Sequence, residues 1–166
     1  MAACRELPRY PGCFVCGDPR ENPLALGLEF LLEDGVVRAS FVPQKEHAGY
    51  PGIVHGGILV SLLDEASIWA ASAAAQAFCV TRSLSVEFLQ PAKVGEPITV
   101  LAQVEGREGR LLQVQARVED PGGRILAQSL GSFFPRFRQG WAKLMGAGNE
   151  RRGCHGAQGG EDRKTG

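Results

Sequence analysis

The stretch Val54-His55-Gly56-Gly57-Ile58-Leu59-Val60-Ser61-Leu62-Leu63-Asp64-Glu65 decides how this chain is read. A His-Gly-Gly opens a run with helical period over 57–78, apolar almost all round. The first turn of a helix presents unpaired backbone N–H groups. Glycine there lets a ligand come close to the backbone. Asp64-Glu65 is the one acidic pair in the run, and a carboxylate in apolar surroundings is costly unless it has a partner or a task. An amide donor for a developing oxyanion plus a carboxylate is half of an acyl-transfer site. Taken singly, each feature is ordinary: a glycine pair entering a helix is commonly a turn, and an Asp-Glu on a helix is commonly a solvated face. Together on one apolar helix they point to chemistry.

The flanks read as sheet. Residues 26–33 and 36–42 alternate, with Val37, Ala39 and Phe41 on one face and Asp34-Gly35 as a hairpin turn. A loop over 43–53 carries His47, Gly49, Tyr50, Pro51 and Gly52 and leads into His55. Within the helix, Ser61, Asp64, Glu65 and Ser72 form a thin polar stripe. Ala70, Ala71, Ala73, Ala74 and Ala75 are small enough for a sheet to wrap closely. Trp69 is either a core anchor or the wall of an acyl pocket. Beyond Thr81, residues 82–89, 98–104, 112–118 and 125–134 alternate as strands, with a strong turn at Asp120-Pro121-Gly122-Gly123. The order β-β-α-β-β-β-β with short connections is an α+β class, a single curved antiparallel sheet wrapped around one long central helix.

The length, 166 residues, bounds the chain to one domain with room for a sizeable core. Eighteen Lys and Arg balance eighteen Asp and Glu, so nothing points to nucleic acid. Residues 1–25 read as an irregular lead-in with Cys13-Phe14-Val15-Cys16-Gly17, residues 26–137 as the folded domain, and 138–166 as a Gly-rich basic tail expected to be disordered, with Trp141 and Leu144 able to dock. The odd count of five cysteines and the lack of an apolar leader in the first twelve residues predict free thiols and a cytoplasmic location. The acidic pair argues against a membrane span for the central helix. One Cys-x-x-Cys is half of a zinc motif, because a structural zinc takes four ligands. With no second pair, the sequence favours packing for Cys13 and Cys16, and neither a metal nor a cofactor is expected.

Spacing constrains the chemistry. Asp64 lies eight residues beyond Gly56, so ~12 Å along one helix. An oxyanion donor and a base must both lie about 3 Å from the reacting group. Gly56 and Asp64 of one chain cannot meet there, whereas two copies of the helix packed antiparallel bring Gly56 of one against Asp64 of the other.

At this point the chain resembles a known family. Gly52-x-x-His55-Gly56-Gly57, then Leu63-Asp64-Glu65, then Val86-Glu87-Phe88-Leu89-Gln90-Pro91-Ala92-Lys93-Val94-Gly95, is similar to the hotdog-fold acyl-CoA thioesterases, in the PaaI-like branch of the hydroxybenzoyl-CoA thioesterase superfamily. The lead-in from Cys13 to Leu28 is similar to that of one PaaI-like subgroup. The resemblance implies a homodimer or homotetramer with sites between subunits. It implies Gly56 as the N–H donor to the thioester carbonyl, and Asp64 of the partner chain as nucleophile or as base. It implies that His55 shapes the turn or binds near the carbonyl, that Thr81 orients the water as a Ser or Thr does in some relatives, and that Glu65 is the fallback carboxylate. Gly57, His47 and Tyr50 fall to substrate binding. Relatives often carry Asn six residues before the motif His; here that position is Gly49, where His47 or Tyr50 would have to substitute. Lys93, Arg82, Arg107, Arg110 and Arg136 are available to CoA phosphates or are simply solvated. The implied activity is hydrolysis of an acyl-CoA or related thioester. The alternative is a non-enzymatic acyl-thioester binding module. A hydratase ranks last, since no Asp-x-x-x-x-His pairing of that type is present.

Overall fold

A computed structural model of the chain describes residues 4–146 and 150–151. In chain order the strands are β1 (Cys4–Glu6), β2 (Leu31–Glu33), β3 (Val36–Phe41), β4 (Phe78–Phe88), β5 (Ile98–Glu108), β6 (Leu111–Glu119), β7 (Ile125–Phe137) and β8 (Glu150–Arg151). Helix α1 (Gly56–Ala75) joins β3 to β4, and a short helix α2 (Trp141–Gly146) follows β7. Every pairing is antiparallel, in the spatial order β4-β7-β6-β5-β3-β2-β1-β8. The sheet curves around α1, which packs across β3 through β7. This is the curved sheet around one helix that the residue pattern predicts, and the hotdog arrangement that the resemblance implies.

Alternation explains which face turns inward. Val37, Ala39 and Phe41 on β3, Ile98, Val100 and Ala102 on β5, and Leu112, Val114, Ala116 and Val118 on β6 are all buried. They meet Leu59, Leu62, Leu63, Ala66, Trp69, Ala70 and Ala71 of α1. Leu62 and Leu63 are fully buried, and burial of a leucine side chain is worth about 1.5–3 kcal/mol. The alanines at 66, 70 and 71 let the strands lie close. Length and mean hydropathy, 1.4 over its most apolar window, would let α1 cross a membrane. Its buried residues instead make it the core helix of this fold. It stops where Gln76 adopts a left-handed conformation (φ 52°) and returns its N–H to the Ser72 carbonyl.

Several elements differ from the sequence expectation: the strand expected over 26–33 begins only at Leu31 and the last strand runs to Phe137. Residues of the lead-in are built into the fold: β1 pairs with β2, and Leu7, Val15 and Cys16 join the core. A three-residue strand carries too few residues to show a period. The helix ends at Ala75 rather than near 78, and β4 already begins at Phe78. Strand β5 runs on to Glu108, turning at Gly109, whose φ of 58° suits glycine. Cys4 is disulfide-bonded, against the expectation of free thiols throughout, while Cys13, Cys16 and Cys79 are free. Trp141 docks as expected, buried with its ring 5.3 Å from that of Phe78 and 6.3 Å from that of Trp69. The expectation of disorder in the tail falls mostly on residues 147–149 and 152–166, outside the described residues.

Candidate active site

The start of α1 is built by one histidine and two glycines. His55 is the N-cap, at φ −61° and ψ 134°, and its Nδ1 accepts the Gly57 N–H at 2.8 Å. Gly57 is what makes room for the ring, since a Cβ there would sit 3.0 Å from His55 Nδ1. The Ile58 N–H bonds the His55 carbonyl at 2.9 Å. Of the first three helical amides, only that of Gly56 has no partner among the described residues. Gly56 lines a cavity of about 570 Å³ with Tyr50, Ile53, Leu59, Phe88 and Pro91. A free amide at the positive end of a 20-residue helix, in mostly apolar walls, is an anion-stabilising position.

The preceding loop holds this turn in place. The His55 N–H donates to the His47 carbonyl at 2.8 Å. The His47 ring is engaged elsewhere: its Nδ1 accepts the Gln44 N–H at 2.9 Å, and it lies 5.2 Å from the Phe41 ring. It does not line the cavity of Gly56. Gly49 lies so close that an added Cβ would be 3.2 Å from His55 Cα. The bare backbone of Gly49 therefore packs on the cap where relatives often place Asn. Tyr50 is 80% exposed at the cavity rim, and Phe88 is 55% exposed, its ring over Gly56.

Two turns along α1, Asp64 accepts a hydrogen bond from Thr81 Oγ1 at 2.7 Å. A β-bulge makes this contact. Thr81 pairs with Phe133 and Ser83 with Ser132, so Arg82 is the extra residue on β4. Before the bulge the residues packed on the core are Cys79 and then Thr81 toward Asp64; after it they are Leu84 and Val86. Strict alternation from Leu84 backward would place Thr81 on the other face, and the inserted residue reverses that. Neither Asp64 nor Thr81 lines the cavity of Gly56. At eight residues' separation Gly56 and Asp64 lie ~12 Å apart along α1.

Glu65 does not join Asp64. Its Oε1 accepts Trp69 Nε1–H at 3.2 Å and the Cys13 thiol at 3.5 Å. Consecutive helical residues point about 100° apart, so this carboxylate faces the lead-in. Of the residues singled out in the sequence, the structure thus groups His55, Gly56, Gly57 and Tyr50 at one place and Asp64 with Thr81 at another. Glu65 lies apart from both. The sequence puts Phe88 in phase with Leu84 and Val86 and among the side chains that set the depth of a pocket; that its ring covers Gly56 is visible only in the structure.

Among the described residues, strand β4 forms one edge of the sheet, eleven residues long with a partner on one side only. Val80, Phe88 and Leu89 on and beside it are exposed apolar residues.

Residues 51–127 match the family model described as Thioesterase superfamily. A protein of Saccharolobus solfataricus named "Putative esterase SSO1253" is 33% identical over 110 residues, 65% of this chain and 73% of that protein. Among solved structures, the thioesterase superfamily protein RHA08564 superposes with a TM-score of 0.64 at 29% identity, covering 70% of this chain and 59% of its own length. The PaaI protein of Escherichia coli, from the phenylacetic acid degradation operon, superposes with a TM-score of 0.63 at 22% identity, over 68% of this chain and 81% of its own. With a free helix-start amide and a threonine-bound aspartate on a sheet wrapped around one helix, the chain belongs to the thioesterase superfamily.

Proposed function

We propose that this protein hydrolyses an acyl-CoA or a related acyl thioester, in the PaaI-like branch of its superfamily, at sites each shared by two copies of the chain. One observation carries the reading: the unpartnered Gly56 amide and the Asp64–Thr81 pair sit on the same helix but too far apart to act on one carbonyl. In a two-fold dimer with antiparallel helices, each end completes the other. The exposed edge of β4 and its apolar residues give such a dimer a surface to form on. A Streptococcus mutans protein of the same fold, 20% identical over 62% of this chain with a TM-score of 0.58, was solved bound to acetyl CoA, which supports the choice of thiol.

In this reading the thioester acyl group lies in the cavity under Phe88. Its carbonyl oxygen takes the Gly56 N–H, which strengthens as negative charge develops there. Asp64 of the other chain supplies the carboxylate, which either takes the proton of a water attacking the carbonyl carbon or attacks that carbon itself, forming an anhydride that water then hydrolyses to the free acid. Thr81 donates to Oδ1 and fixes that carboxylate. The CoA thiolate leaves and is protonated by solvent. Glu65 has no part in these steps.

Release of free thiol from a panel of acyl-CoAs tests the activity, and Asp64→Asn should lower it by roughly 10²–10⁴-fold. Subunit complementation tests the shared site. When two inactive variants, Asp64→Asn and Gly56→Pro, are unfolded together and refolded as a mixture, about half of the dimers are mixed. Each mixed dimer holds one intact site, so roughly a quarter of wild-type activity should return. No recovery from such mixed dimers refutes the shared site. Saturable acyl-CoA binding with no turnover on any acyl group refutes hydrolysis and leaves a binding module.

A further inference from the structure

The lead-in and α1 bring three metal-binding side chains together outside the thioesterase half-sites. Cys13 Sγ, Cys16 Sγ and a Glu65 carboxylate oxygen all lie within 4.8 Å of one another. The Cys13–Cys16 turn has the geometry of a thiolate knuckle. Cys13 Sγ accepts the N–H groups of Val15 at 3.3 Å and Cys16 at 3.4 Å. The Gly17 N–H closes the turn on the Cys13 carbonyl at 2.9 Å. A Cβ on Gly17 would fall 2.1 Å from that carbonyl oxygen, so only glycine fits.

The third side chain sits at a coordinating distance. With metal–sulfur bonds near 2.3 Å and metal–oxygen near 2.0 Å, a tetrahedral zinc sets sulfur and oxygen roughly 3.5 Å apart. Cys13 Sγ and Glu65 Oε1 are 3.5 Å apart. Trp69 Nε1–H, at 3.2 Å, orients this carboxylate as outer partners of metal ligands do. Cys13 and Glu65 also line a cavity of about 520 Å³ walled by Tyr10, Trp69, Phe78 and Trp141. Among the described residues no further His, Cys, Asp or Glu joins the group.

We propose that Cys13, Cys16 and Glu65 bind a zinc-type divalent cation in a tetrahedral site completed by a solvent ligand from the aromatic cavity. Two thiolates select a borderline-soft cation over magnesium or calcium, which prefer all-oxygen sites. Binding forms two metal–sulfur bonds and one metal–oxygen bond, and the two thiol protons leave to solvent. The ion clamps the lead-in to the middle of α1, one residue past Asp64. The half-motif that the sequence alone assigned to packing thus finds its third ligand 49 residues further on, from Cys16 to Glu65.

The test uses the full chain without a metal-binding tag, purified anaerobically and free of chelator. Elemental analysis should find about one zinc per chain. Apo protein titrated with Co(II) should develop the absorption of tetrahedral cobalt with thiolate charge transfer, saturating at about one equivalent. Glu65→Gln keeps an acceptor for Trp69 and should weaken cobalt binding at least tenfold, by the ~10–100-fold scale of lost metal-site partners. Cys13→Ser/Cys16→Ser should abolish the charge-transfer band, whereas Asp64→Asn should retain a full equivalent. The proposal is overturned if wild-type protein takes up no Co(II), if the bound cobalt shows no thiolate charge transfer, or if anaerobic protein carries a Cys13–Cys16 disulfide. It is equally overturned if the double serine variant binds as tightly as wild type. The wild-type cobalt spectrum decides the matter even where a variant fails to fold.

Discussion

Replacing Gly56 by proline, with alanine as its control, isolates the proposed oxyanion donor. Gly56 is the first helical residue after the His55 cap. Proline is well tolerated there, because the lost N–H has no intrahelical partner and its fixed φ suits a helix start. It also demands an extended residue before it, and His55 already sits at φ −61° and ψ 134°. Both substitutions place a Cβ at the same spot, 3.2 Å from the Phe88 ring. That ring is more than half exposed and can give way. The two variants therefore share the steric change and differ chiefly in the N–H. Loss of one oxyanion donor costs about 2.7–4 kcal/mol in the transition state, or ~10²–10³ in kcat. The expected result is Gly56→Pro slower than Gly56→Ala by that factor, at similar thermal stability. The assay is thiol release from the best acyl-CoA of the panel, with Tm measured alongside. Equal rates for folded proline and alanine variants would refute the assignment of Gly56 as donor.

Other outcomes follow from single contacts. Thr81→Val removes the 2.7 Å bond to Asp64; kcat should fall by ~10-fold, about 1.4 kcal/mol and close to the low end for a hydrogen bond to a charged group, and Thr81→Ser should restore it. Gly131→Ala would put a Cβ 2.8 Å from both Leu84 and Phe133 side chains and 2.9 Å from the Ser83 carbonyl; overpacking of this kind costs about 1–3 kcal/mol, to be read as a lower Tm or denaturant midpoint. Trp141→Ala empties a buried site between Phe78 and Trp69, and chemical denaturation should show a loss of about 3 kcal/mol. Gly49→Asn, which introduces the side chain common among relatives, meets the His55 backbone at 3.2 Å; it should lower kcat/KM rather than raise it, because the cap that holds Gly56 must move.

Local chemistry was legible in the sequence and long-range register was not. The His55-Gly56-Gly57 turn could be read because a cap, its acceptor and the first-turn amides lie within three residues of one another. Val37, Ala39 and Phe41 could be assigned to the core because a period of two needs no knowledge of the partner strand. Thr81 was different. By alternation it belongs on the face opposite Leu84 and Val86, and only the resemblance to relatives pointed to it. The bulge at Arg82 that turns it toward Asp64 is a property of the pairing with β7, some fifty residues away. The Cys13–Glu65 contact spans 52 residues, and no pattern along the chain announces it. β1 escaped notice because its pairing with β2 depends on closure of a long lead-in, not on its own three residues.

The pair Asp64-Glu65 shows how much follows from that distinction. In the sequence the two carboxylates look interchangeable, and one could stand in for the other. On a helix they diverge by about 100°, and each finds a different set of partners. Asp64 meets a hydroxyl from β4, at the sheet edge that a second copy can approach. Glu65 meets an indole and a thiol from the side covered by the lead-in. An apolar helix tolerates two adjacent carboxylates because each has a hydrogen-bonding task on its own face. The lead-in is therefore more than a preface to the domain. Its Cys13 thiol engages Glu65 on the face of α1 beside the one that carries Asp64.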